Sequence, residues 1–246
     1  MIDTHAHLDA LDDDPDAVIA RARDVGVMRI VSVGTGPESW RATLAIAERH
    51  DGVFTALGLH PHEAAHEDAL VGLPEALAHP RAVAVGETGL DYYRDHAPRD
   101  AQRRVFDAQL ELARELRMPV VVHTRAADED TLAALRSFEG TIVMHCFSSP
   151  GLLEPALEHG WYVSFAGNVT FKNAYDLRAA ARAVPGERLL VETDSPYLAP
   201  QPRRGRPNEP ANVVHTVAAL AEARDEDVVD LAARIDANAS ACFSLP

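Results

Sequence analysis

Short apolar, β-branched runs alternate along the chain with longer segments whose apolar positions recur every three or four residues. The runs predict strands at Ile2–His5, Arg29–Val33, Phe54–Leu59, Ala82–Gly86, Pro119–His123, Thr141–His145, Trp161–Phe165 and Leu189–Glu192. Several, such as Val120–Val122, are apolar without alternation, as in strands covered on both faces. Helices are predicted near Pro15–Val25, Glu38–Arg49, Glu67–Ala78, Asp100–Leu116, Asp128–Phe138, Pro150–Glu158, Asn173–Ala183, Ala211–Ala223 and Asp225–Ala237. In Asp100–Leu116, the apolar residues Val105, Leu110, Leu112 and Leu116 fall near one face. Eight strands, each followed by a helix, predict an α/β fold: one (β/α)8 TIM barrel spanning residues 1–246. An open doubly wound sheet is the alternative. No Gly-x-Gly-x-x-Gly follows the first strand, which weakens its dinucleotide-binding version.

A length of 246 residues suits one barrel with little left over. The most linker-like stretch, Ala199–Pro210, lies too near the end to separate two domains. Two cysteines, Cys146 and Cys242, exclude a disulfide framework and point to a reducing, cytoplasmic setting. No apolar run reaches the roughly 18 residues of a membrane span, and the N-terminus has no secretory-signal pattern. Nothing calls for an obligate protein partner, so a monomer is expected. A net charge of -15 excludes a globally basic coat for nucleic acid, but not an enzyme with a local basic rim. Lys172 is the only lysine among 23 basic residues.

The 12 histidines change the picture most, because several fall at predicted strand ends. His5 and His7 are two apart on the first strand and point the same way. Glu87 follows the run Ala82–Val85, His123 ends Pro-Val-Val-Val-His, His145 ends Thr-Ile-Val-Met-His, and Asp194 follows Leu-Leu-Val-Glu-Thr-Asp. Singly, each could be a capping or hydrogen-bonded residue. In a barrel, all would converge on the C-terminal face, where active sites are built. Four neutral histidines, one glutamate and one aspartate suit two divalent cations, with Glu87 midway in strand order. The mixed donors do not choose among Mg, Mn and Zn.

These residues sit in strings that resemble the TatD family of metal-dependent deoxyribonucleases, in the amidohydrolase-like superfamily. The strings are Ile2–Asp9 (IDTHAHLD), Gly58–His62 (GLHPH), Gly86–Tyr92 (GETGLDY), Pro119–His123 (PVVVH), His145–Ser148 (HCFS), Thr170–Asn173 (TFKN), Glu192–Leu198 (ETDSPYL) and Asn208–Pro210 (NEP). They span nearly the whole chain. The resemblance implies a TIM-barrel hydrolase with a dinuclear centre acting on DNA. It implies His5, His7 and Asp194 on one metal, His123 and His145 on the other, and Glu87 bridging, where related barrels use a carboxylated lysine. Two departures stand out. The late loop reads RRGRPNEP over 203–210, where a Gly-Lys-Arg-Asn-Glu-Pro-like string is expected, and Asn168 stands where an apolar residue is expected.

On this reading, a metal-activated hydroxide attacks a phosphodiester of DNA, with single strands or ends preferred, and Asp194 orients it and accepts its proton. His62 is a candidate phosphate binder or proton shuttle. Asp91 could orient a ligand histidine, and Tyr92 could stack on a base. Arg94, Arg99, Arg125 and the cluster Arg203, Arg204 and Arg206 lie in predicted loops; Arg203 and Arg206, together with Asn208 and Glu209, are the best substrate-binding candidates on the late loop. Cys146 should turn away from His145 by strand alternation. The alternative is hydrolysis of a small ester, lactone or cyclic amide at the same two-metal centre. A non-catalytic binding module is disfavoured by the intact ligand set, and a structural metal site by its open spacing.

Overall fold

A computed structural model describes residues 1–246. Eight parallel strands form one sheet in chain order, the order a (β/α)8 barrel requires. They are β1 (Ile2–Ala6), β2 (Arg29–Gly34), β3 (Val53–Leu57), β4 (Ala82–Asp91), β5 (Val120–Arg125), β6 (Ile142–Met144), β7 (Tyr162–Phe165) and β8 (Leu189–Val191). Around them lie α1 (Pro15–Asp24), α2 (Pro37–Arg49), α3 (Leu73–Leu77), α4 (Arg99–Leu116), α5 (Asp128–Leu135), α6 (Leu153–Glu158), α7 (Tyr175–Ala183), α8 (Val213–Arg224) and α9 (Val228–Phe243). No helix is long and apolar enough to cross a membrane.

The ring closes between β8 and β1 with little backbone pairing. His7 N donates to Ser195 O at 2.8 Å and Asp194 N to His5 O at 2.9 Å. Side chains do the rest. Thr4 Oγ1 donates to Val191 O at 2.8 Å, while the buried Asp3 carboxylate accepts Thr193 N at 2.9 Å and Thr193 Oγ1 at 2.6 Å. The seam is therefore tied at His5, His7 and Asp194.

Several elements differ from expectation. The helix expected over Glu67–Ala78 is a kinked 3-10 stretch, Pro61–Gly72, followed by the single turn of α3. Pro74 supplies no backbone N–H and Gly72 weakens the helix before it. Strand β4 continues to Asp91 rather than stopping at Gly86, and pairs with β5 from Thr88–Val122 through Asp91–Arg125. Its polar end is buried because neighbouring side chains satisfy it. Gly86, at φ +139°, lies so close to Gly58 that a Cβ on Gly58 would stand 2.7 Å from the Gly86 Cα.

Helix α4 accounts for much of that burial. Its inward face carries Gln102, Val105, Phe106, Gln109 and Ala113, whereas Leu116 is exposed and Leu112 only partly covered. Of the four expected apolar positions Val105 and Leu110 are buried, and two glutamines share the inward face with them. Gln109 Oε1 accepts Leu59 N at 2.7 Å, and its Nε2 donates to Leu59 O at 3.0 Å and Thr88 Oγ1 at 2.6 Å. Gln102 does the same for Asp91, accepting its N–H at 2.8 Å and donating to its carbonyl at 3.1 Å. Both amides replace ladder bonds that the irregular strand ends cannot make.

Candidate metal centre

The C-terminal ends of the strands bring His5, His7, Glu87, His123, His145 and Asp194 together. Glu87 is buried and its two oxygens divide the histidines between them. Oε2 lies 3.4 Å from His5 Nε2 and 3.8 Å from His7 Nε2. Oε1 lies 2.7 Å from His123 Nδ1 and 3.3 Å from His145 Nε2. Asp194 Oδ1 faces the first pair, 3.6 Å from His7 Nε2 and 3.9 Å from His5 Nε2. Asp194 is presented from a left-handed backbone conformation, φ 54°, which an aspartate tolerates better than most residues.

The chemistry of these atoms suits cations. The His5 and His7 Nε2 atoms are 3.3 Å apart, and the His5 and His145 rings stack with centroids 3.7 Å apart. Burial alone would raise the Glu87 carboxyl, but the imidazoles around it, His145 and His60 foremost, hold it well below its usual range. Asp194 is likewise held down, its burial outweighed chiefly by His7. Burial opposes charge on His123 and His145 as well. Asp91 and Glu87 nevertheless pull His123 up to about 8, and Glu192 and Glu87 pull His145 up to about 10. Burial and the neighbouring His145 push His5 down. Protons on the imidazoles and divalent cations are alternative ways to balance the same carboxylates, so this donor set fits metal. Donor atoms close enough to share an ion include His5–His7–Asp194, His5–Glu87–His145 and His60–Glu87–His123.

Behind the donors stand two further carboxylates. Glu192 Oε1 is 2.7 Å from His145 Nδ1 and accepts Cys146 N at 2.9 Å. Asp91 Oδ2 lies 3.3 Å from His123 Nε2 and 2.9 Å from His62 Nε2, while its Oδ1 accepts the backbone N–H groups of Tyr93 and Arg94. Such contacts fix imidazole orientation.

A family model described as TatD related DNase matches residues 2–244. The chain belongs to the TatD family. A metal-dependent hydrolase of Bacillus subtilis is 38% identical over 254 residues, covering 100% of this chain and 99% of that protein. A protein of Shigella flexneri named 3'-5' ssDNA/RNA exonuclease TatD is 35% identical, with 94% of each chain covered. The crystal structure of a TatD homologue from Escherichia coli superposes with a TM-score of 0.93 at 31% identity, covering 100% of this chain and 98% of that one. The TatD assignment makes the chain a metal-dependent hydrolase.

Within this TatD barrel, the remaining sequence candidates land in different places. His62 is not against Glu87; it stands outside Asp91 and is partly exposed. His60 takes the inner place, Nε2 3.4 Å from Glu87 Oε1. The sequence does not single out His60, although its spacing from Gly58 puts it nearer the strand end. Its Nδ1 accepts His62 N at 3.1 Å, so the neutral ring carries its proton on Nε2, facing Glu87. Burial pushes His60 down to about 4, which keeps it neutral.

Tyr92 reaches the rim with both ends engaged: its hydroxyl donates to Asp130 at 2.8 Å, and the Arg99 guanidinium covers its ring at 4.3 Å. Asn208 is buried rather than offered to a ligand. Its Nδ2 donates to Thr193 O at 2.9 Å and Tyr197 O at 2.6 Å, and its Oδ1 accepts from Glu209 N and Asn212 Nδ2. Glu209 pairs with Arg21 at 2.7 Å. Both residues hold the late loop, because a loop that carries Asp194 at its start needs its backbone groups satisfied. Arg203 and Arg206 are exposed on that loop. Cys146 escapes the strand-alternation argument because β6 ends at Met144 and Cys146 has φ 44°. Its backbone N–H, not its thiol, engages Glu192, and burial with nearby Asp194 pushes the thiol well up. Asn168 Oδ1 is buried without a hydrogen-bond partner, and nothing nearby explains it.

Proposed function

We propose that this TatD-family hydrolase cleaves phosphodiester bonds of DNA, preferring single strands or ends, at a centre of two divalent cations. The observation that carries the reading is the division of histidines between the two oxygens of Glu87, with His5 and His7 on one and His123 and His145 on the other. On this basis His5, His7 and Asp194 would hold one cation, His123 and His145 the second, and Glu87 would lie between them. Bound divalent cations supply Lewis-acid activation of water and neutralise charge on the phosphoryl oxygens. The TatD exonuclease relative named for single-stranded DNA and RNA supports the substrate class.

The chain's own residues have separable tasks. Asp194 is held low by His7, so it is a carboxylate ready to orient water and take up a proton. His60 points a hydrogen at Glu87 Oε1 and fixes that carboxylate's orientation. His62, outside Asp91 and partly exposed, is placed to bind phosphate or pass a proton to solvent. Glu192 and Asp91 set the rings of His145 and His123. Arg203 and Arg206 supply positive charge at the rim.

The test is metal-reconstituted protein incubated with end-labelled single-stranded DNA, duplex DNA and RNA, with a chelator control and the Glu87→Ala variant. Metal-dependent cleavage, abolished by chelator and reduced at least about a hundredfold by the substitution, is expected. Cleavage indifferent to both treatments would sink the two-cation reading. Metal-dependent turnover of lactones or cyclic amides without any of nucleic acid would transfer the assignment to the small-substrate alternative.

A further inference from the structure

Two sizeable grooves open beside the barrel mouth, and their charges are opposite. One, of about 560 Å³, lies beyond β5 and β6 and is lined by Asp128, Glu129 and Asp130 as well as Tyr92 and Arg99. The other, of about 680 Å³, lies between the loop after β7, the loop after β8, and helices α7 and α8. Lys172, Arg178, Arg182 and His215 line it, with Glu222 the acidic residue among them.

The basic groove is a built feature. The loops after β7 and β8 form one wall: Thr170 Oγ1 accepts Gln201 N at 2.7 Å, and a Cβ on Gly167 would stand 2.1 Å from Leu198 O. Arg204 lies over the Phe171 ring at 4.2 Å. Arg178 donates to the carbonyls of Val169, Phe171 and Lys172, so it rigidifies the turn that presents Lys172. Arg182 and Glu222 mark the far end, where Arg182 reaches Ala223 O. Exposed Lys172 lines the groove, and exposed Arg203 and Arg206 follow Gln201 and Pro202 of its wall; none of the three cations has a carboxylate partner. Unpaired cations gathered at one edge of a chain of net charge -15 point to an anionic ligand. The same loop runs from Asp194 past Tyr197, whose exposed ring stands at the edge of His7, centroids 5.9 Å apart. An exposed aromatic beside the candidate centre, on the loop whose Gln201 and Pro202 wall the basic groove, is an arrangement that guides single strands.

We propose that this groove is the track for a single-stranded polynucleotide leaving the metal centre, its phosphates held by Lys172 in the groove wall and by Arg203 and Arg206 beside it. The inference rests on the nuclease reading above and adds direction to it: the strand runs out over the loops after β7 and β8, away from the acidic groove.

The experiment measures binding of a phosphorothioate oligothymidylate of about a dozen nucleotides, which resists cleavage, to the metal-loaded enzyme across a salt series. Cleavage of the ordinary oligonucleotide by wild type is recorded in parallel. Each phosphate contact with a single strand contributes about 0.7 to the salt slope. The combined Lys172→Ala, Arg203→Ala and Arg206→Ala variant should lower the slope by about 2 and weaken binding more than about tenfold at low salt. The charge-keeping set Lys172→Arg, Arg203→Lys and Arg206→Lys should retain both. Asp128→Asn with Glu129→Gln should leave the slope unchanged. An unaltered slope in the alanine variant, with wild type binding and cleaving, overturns the track alone. So does a slope that responds only to the Asp128 and Glu129 changes. A wild type that neither binds nor cleaves the oligonucleotide overturns the nuclease reading and the track with it.

Discussion

At the scale of single residues, the tautomer of His60 separates two roles that proximity alone confuses. Its Nε2 is among atoms close enough to share an ion with Glu87 and His123, yet its Nδ1 accepts a backbone N–H. A ring so bonded presents a hydrogen, not a lone pair, to Glu87. His60→Ala should therefore keep its full metal complement at saturating metal, while activity falls by about 10- to 100-fold, as for other partners that orient a ligand. His60→Gln, which can still donate, should recover part of the loss. Elemental analysis decides the matter: loss of one metal equivalent in His60→Ala would make His60 a ligand. Six candidate donors are legible because His5 and His7 alternate on the first strand and the other four follow apolar runs. His60 is not, because its identity as the inner histidine depends on the path of the loop after β3, which only contacts with Thr35 and Gln109 establish.

At the scale of elements, α4 shows how a helix can be read correctly and its face only in part. Its limits follow from its residues, but the inward face is decided by Gln102 and Gln109, which bond to backbone groups of Asp91 and Leu59. Polar residues on a buried face look like solvent-exposed positions until their partners are known. Gln109→Leu is near in volume but leaves the Leu59 N–H and carbonyl without partners. It should destabilise the protein by about 2–4 kcal/mol, read as an earlier midpoint in urea unfolding. A neutral result would mean that water takes over the amide's bonds. Strand β4 was underestimated for the same reason: its end is polar in sequence and buried in the fold.

At the scale of the molecule, the β8–β1 seam and the candidate metal centre are one structure. The closing hydrogen bonds involve His5, His7 and Asp194 themselves, so cations held there would also hold the barrel shut. Chelation should therefore lower the thermal midpoint. A ligand at about a hundred times its Kd contributes about 2.7 kcal/mol, and for a chain of this size each kcal/mol moves the midpoint by about 2–4 °C. A drop of about 5–10 °C, reversed by added divalent metal, is expected in differential scanning calorimetry. No change on chelation would separate closure of the barrel from the metal centre. The distribution of charge also belongs to this scale. The count of -15 describes the whole chain, whereas the basic edge is made by loops that fold against each other after β7 and β8.

The sequence by itself determined the barrel and the convergence of six metal-capable side chains at one end of it. Strand periodicity and end positions are local properties of the chain, and parallel strands in chain order bring their C-terminal ends to one face. Only the tertiary structure decided which donors share an oxygen of Glu87, that Asn208 and Glu209 hold a loop, and that His60 lies inside His62. It also decided that the loops after β7 and β8 wall a groove lined by Lys172, Arg178 and Arg182. These depend on loop paths and on which partner reaches each polar atom first, and such contacts are made between residues far apart in the chain.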